Sequence, residues 1–133
     1  MKNDIRLRFQ KSDRICSLIR ISEIFRTGVV VYHHPFKVFF LKQESNRSRV
    51  LISVPKRLFK RAVARNDIKR KIRESLRLLQ FQTFCVQGVD MCIIYIDKKP
   101  PGESGINEKI KDVLEKIRRI VEISSHSATD CVD

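Results

Sequence analysis

Between Lys56 and Arg77 the chain places Lys56, Arg57, Lys60, Arg61, Arg65, Lys69, Arg70, Lys71, Arg73 and Arg77 against only Asp67 and Glu74. Ten cations and two carboxylates leave +8 of the chain's +13 in this one segment. Threaded through it, Ile68, Ile72, Leu76 and Leu79 recur at helical spacing. Few structures satisfy both patterns. So many charges cannot be desolvated, and the apolar residues need a cover, so the segment must be a surface helix with one face pressed to a sheet. The spacing predicts this central helix from about Ala62 to Leu79.

At about 100° per residue, Ile68, Leu79, Ile72 and Leu76 share an arc of roughly 80°, which is the face for packing. Lys69, Arg73, Asn66, Arg77 and Arg70 fill the next arc of about 100°, a ridge of one charge sign with an amide in its midst. Asp67, Lys71 and Glu74 take the remaining side, where i+3 and i+4 pairing supports the helix and both acids stay off the ridge. Cations crowded on one arc repel each other unless phosphates neutralise them, and Arg can bridge two phosphate oxygens with its planar fork. Phosphate contact releases counterions and makes binding fall steeply with salt.

The rest of the composition agrees. A chain of 133 residues with 28 Lys and Arg against 15 Asp and Glu is long enough for one domain and carries a charge whose natural partner is a polyanion. Nucleic acid is favoured over anionic lipid, because membrane-surface helices usually pair a basic face with exposed aromatics and this chain has no Trp. No apolar run approaches the roughly 20 residues of a membrane span, and the charged start, Met1 to Arg6, has no apolar segment of a secretory signal behind it, so a cytoplasmic protein is expected. Cys16, Cys85, Cys92 and Cys131 form no Cys-x-x-Cys pair and lie at no zinc-finger spacing to His33 and His34. They are expected as reduced thiols, with no metal bound by the protein.

Along the chain, residues 1–11 read as an arm laid on a single domain that spans 1–133. A first helix follows from Ser17 as N-cap, with Leu18, Ile21, Ile24 and Phe25 on one side and Gly28 as its stop. Residues 29–41 read as one strand interrupted at Pro35, and Arg49 to Val54 as a second that pairs with it antiparallel. After the central helix comes an inner strand, Val89 to Ile96, and then an amphipathic helix from Asn107 to Val121. Residues 124–133 read as a disordered tail. The order α-β-β-α-β-α implies a small α+β domain with helices packed on one sheet.

Lys56 and the run Ala62-Val63-Ala64-Arg65-Asn66-Asp67-Ile68-Lys69-Arg70-Lys71-Ile72-Arg73-Glu74 resemble the hallmark of the bacterial ribonuclease P protein component: Arg-Asn-Arg, an apolar residue, Lys-Arg, two residues, then Arg. Phe9-x-Lys11-x-x-Arg14, Ile24-Phe25-x-x-Gly28, Pro35-Phe36-x-Val38 and Ser53-Val54-Pro55-Lys56-Arg57 extend the likeness over roughly residues 9 to 123, in a Bacteroidetes-like form. The resemblance implies a fold like ribosomal protein S5 domain 2 with a left-handed β-α-β crossover, against the usual handedness. It implies an accessory subunit that joins one catalytic ribonuclease P RNA and helps to remove the 5′ leader of precursor tRNA, the RNA and its Mg²⁺ ions carrying out the hydrolysis. The family's RNA contacts fall on Arg65, Asn66, Lys69, Arg70 and Arg73, which Arg77 extends along the ridge, and its cleft for the single-stranded leader falls on Phe25, Lys37, Phe39 and Lys56. Asp67 stands where the family usually has the second Arg, Lys60-Arg61 replaces a common Gly-Asn and leaves the helix without its usual N-cap, and Ile21 takes a position that is Phe in some relatives.

Two other classes compete. A ribosomal or ribosome-assembly protein would share the basicity and the fold. A protein-only nuclease would need carboxylates converging on Mg²⁺, and Asp90 and Asp97, seven apart and of opposite strand parity, are expected instead as polar residues at the strand ends. Nothing fits a DNA-binding helix-turn-helix or finger.

Overall fold

The computed structural model describes residues 15, 17–43, 47–79, 88–101 and 105–132. In order they form α1 (Leu18–Thr27), β1 (Val29–His33), β2 (Phe36–Lys42), β3 (Arg49–Ser53), α2 (Ala62–Leu78), β4 (Val89–Tyr95) and α3 (Ile106–Val132). The strands make one mixed sheet in the order β1-β2-β4-β3, with β1 and β4 antiparallel to β2, and β3 parallel to β4. The unit β3-α2-β4 is therefore a parallel crossover, and the whole is the small α+β domain expected, of a kind with ribosomal protein S5 domain 2.

Two expectations are corrected. Residues 29–41 are not one strand but a hairpin, folded back at a cis His34–Pro35 peptide so that Val31 faces Val38. Pro35 has no N–H to give to a ladder, so the chain turns where a continuous strand would leave a gap. The element order is thus α-β-β-β-α-β-α. Nor does β2 pair with β3: β4 lies between them. Val89, Met91, Cys92, Ile93 and Tyr95 are all buried, and a strand apolar on both faces is stabilised most at the middle of a sheet. The α3 backbone is helical to Val132, through the stretch after Ser124 that the sequence reads as a tail. The N-terminal arm, residues 1–11, lies outside the described residues.

The sheet has a core on each face. On one, Phe36, Val38, Phe40, Met91, Ile93 and Tyr95 pack against Ile68, Ile72 and Leu76 of α2 and Ile110, Val113, Leu114, Ile117 and Val121 of α3. Each such side chain contributes about 1.5–3 kcal/mol on burial, so the apolar stripe of α2 is what fixes the helix on the sheet. On the other face, α1 buries Ile24 against Cys92 and Ile15, with Ile21, Phe39, Leu41 and Leu51 around them. Ser17 caps α1 by accepting the Arg20 N–H at 3.3 Å. Gly28 ends it at a close crossing, where a Cβ would stand 2.3 Å from the Ile24 carbonyl oxygen and 3.0 Å from that of Phe40.

Candidate nucleic-acid interface

With Ile68, Ile72, Leu76 and Ser75 of α2 turned inward, the ridge residues face outward: Asn66 and Arg70 are exposed, and Lys69, Arg73 and Arg77 are half-buried. The helix carries them on one rigid scaffold. The carboxylates do not stay off the ridge as the wheel suggested. Asp67 accepts from Arg70 at 2.9 Å as well as pairing with Lys71 at 3.2 Å, and Glu74 pairs with Arg77. An i+3 side chain lies only about 60° round the helix, and the long Arg stem spans that gap. The Arg70 hydrogen bond, then that of Lys71, holds the Asp67 carboxyl below its usual range, and Arg77 does the same for Glu74. Among the described residues, Lys69 and Asn66 have no hydrogen-bond or ion-pair partner; Asn66 sits in the middle of the ridge and Lys69 at its edge beside the packing face.

Arg65 stands apart from the other candidates. Its Nη1 donates to the carbonyls of Phe59 and Lys60, both at 2.9 Å. On the wheel it falls about 60° from Ile68, on the packing side, and near the helix start it can reach back to the loop. Arg61, at the N-cap, makes no side-chain capping bond, so Arg65 ties down a helix entry that lacks the usual cap.

A second surface lies on the α1 face of the sheet. Register aligns Tyr32, Lys37, Ile94 and Ser53 in one row across β1, β2, β4 and β3, and Val30, Phe39, Cys92 and Leu51 in the next. The core beneath α1 includes the Phe39, Cys92 and Leu51 part of the second row, while Tyr32 is exposed and Lys37, Ile94 and Ser53 are half-buried. Phe25, exposed near the end of α1, meets Phe39 edge to face with centroids 4.9 Å apart, and the Lys37 Nζ lies 5.3 Å from the Phe39 centroid. Phe39 thus joins two of the other three predicted cleft residues, Phe25 and Lys37. Lys56 is exposed in the turn after β3, two strands across the sheet from Lys37. Tyr32, Ile94 and Ser53 were missed by the sequence reading, because their shared row depends on strand pairing.

An ion cluster holds α1 over this face. Asp90, fully buried, accepts from Arg49 Nε at 2.9 Å and Nη2 at 2.7 Å, and from Arg20 Nε at 2.7 Å. Arg20 also reaches the Lys42 carbonyl at 3.0 Å, and its hydrogen bond to Asp90 raises its pKa above the usual value. Asp90 is therefore no strand-end polar residue but the tie between α1, β3 and β4. Its only sequence signal is a lone carboxylate in an otherwise apolar inner strand. Asp97 pairs instead with His34 at 3.3 Å and accepts the Lys99 N–H, which lowers its pKa. Among the described residues no three His, Cys, Asp or Glu side chains converge. Nor is any described helix long and apolar enough to cross a membrane.

A family model described as Ribonuclease P matches residues 9–118. The chain belongs to the ribonuclease P protein family. It is 41% identical over 121 residues to the ribonuclease P protein component of an Exiguobacterium species, covering 89% of this chain and 94% of that one. The component from Geobacillus thermodenitrificans is 35% identical over 111 residues, 83% of this chain and 88% of its own. The solved Staphylococcus aureus RNase P protein superposes with a TM-score of 0.70 at 28% identity, covering 81% of this chain and 97% of that one. The chain is thus a protein component of ribonuclease P, an RNA-binding subunit of an RNA–protein enzyme of tRNA processing.

Proposed function

We propose that the α2 ridge docks one copy of the ribonuclease P RNA, and that the row of side chains beside α1 guides the 5′ leader of precursor tRNA. The outward basic ridge, fixed on a buried apolar stripe, supports this reading. Lys69, Arg70, Arg73, Arg77 and Asn66 meet phosphates, while Arg65 keeps the helix entry in place and touches RNA only at its edge. Phe25 and Phe39 offer ring faces to leader bases, and Lys37 and Lys56 hold its backbone. Magnesium ions held by the RNA supply the hydrolytic chemistry, and no side chain of this protein takes part in bond cleavage. A ribosomal role is not favoured by the relatives.

Because Arg65 holds the loop before α2, the informative variant replaces Lys69, Arg70 and Arg73 by Ala and leaves Arg65 intact. Reconstituted with the cognate RNA, the wild type is expected to raise precursor cleavage at low Mg²⁺ and the variant to lose that stimulation with its fold unchanged. Cleavage indifferent to wild-type protein would overturn the proposal.

A further inference from the structure

We infer that Tyr32 is a leader-binding residue, which extends the platform of Phe25 and Phe39 to the outer edge of the sheet. The inference rests on the leader reading above and names one more contact for it.

Tyr32 is 62% exposed on β1, the edge strand, directly opposite Lys37 in the register. Residues directly opposite on antiparallel strands project from the same face, so its ring shares a surface with Lys37 and, diagonally, Phe39. Diagonal neighbours stand roughly 7–8 Å apart, so the two aromatic side chains belong to one surface on which successive bases can stack. Among the described residues the Tyr32 hydroxyl makes no hydrogen bond, which leaves it to a base edge or a sugar. Lys37, between the rings, supplies charge for the phosphate that joins neighbouring nucleotides. The row from Ser53 to Tyr32 crosses three strand spacings, about 14 Å, with Lys56 beyond one end and Tyr32 closing the other. An extended single strand follows such a path, whereas a duplex, whose bases are stacked inward, presents nothing to these rings.

The alternative for an exposed Tyr on an edge strand is β-propensity alone. The test uses the reconstituted holoenzyme, with precursor tRNAs whose leaders are lengthened one nucleotide at a time and mature tRNA as control. Tyr32→Ala is expected to weaken precursor binding about fivefold, the lower end of base–aromatic stacking, once the leader passes a threshold length. Mature tRNA binding should be unchanged, and Tyr32→Phe should keep most of the affinity. An abasic nucleotide at the threshold position should weaken the wild type by the same factor and leave Tyr32→Ala no weaker. If Phe39→Ala shows leader-dependent loss and Tyr32→Ala does not, the role of Tyr32 is refuted and the leader reading stands. If neither shows it, both fall.

Discussion

Asp90 is the residue that ties α1 to the sheet. A carboxylate with no exposed surface is tolerable only because Arg20 and Arg49 neutralise it and fill its lone pairs. Asp90→Asn removes the one buried anion that Arg20 and Arg49 share, and we expect a loss of about 3 kcal/mol or more in urea unfolding. Asp97→Asn, whose partner His34 is exposed, should leave the midpoint nearly unchanged. Gly28→Ala makes a second residue-scale test. Its φ of −72° suits any residue, so the cost comes from the Cβ meeting the Ile24 and Phe40 carbonyls, and we expect about 1–3 kcal/mol of destabilisation. Tyr95 sets a pH dependence. Burial and the nearby Asp97 push its phenol up to about 12, while its hydroxyl donates to the Lys99 carbonyl at 2.6 Å. The unfolded chain loses this proton near pH 10 and the folded one near 12, so the contribution is full below about 10 and is lost as pH rises toward 12. Burial likewise lifts the Cys92 thiol to about 11, and stability therefore begins to fall above about pH 9. Tyr95→Phe should remove the steeper part of that decline in a pH series of denaturation midpoints.

At the scale of elements, α2 was legible where periodicity governs. Its span, apolar stripe and outward ridge follow from spacing alone. What spacing does not contain is the reach of each side chain: Arg70 and Arg77 lean back onto Asp67 and Glu74, and Arg65 turns to the loop. Asp67 therefore acts within the chain as a tether on Arg70. Asp67→Asn should release it and make the log–log salt dependence of RNA binding steeper by about 0.7–0.9, one added phosphate contact. An unchanged slope would mean that Arg70 reaches phosphate in spite of the pair. The strands were read less well, because the pause at Pro35 has two outcomes in sequence, an interruption in one strand or a hairpin, and only the pairing of β1 with β2 decides between them.

At the scale of the whole molecule, the order β1-β2-β4-β3 is a non-local fact. The apolar run of β4 announced an inner strand, but not that it would separate β2 from β3, and the S5-like topology came from family likeness rather than from composition. The row proposed for the leader is hidden for the same reason, since Tyr32, Lys37, Ile94 and Ser53 become neighbours only through three pairings. The ridge, by contrast, belongs to one helix, and the charge of +13 named its partner class before any fold was known. The most direct test of that claim is the affinity for the cognate ribonuclease P RNA measured across a salt series. Wild-type protein should give a log–log slope of roughly −5 or steeper, and replacing Lys69, Arg70 and Arg73 by Ala should make it shallower by about two to three. Equal slopes for the two proteins, with the fold intact, would contradict the account.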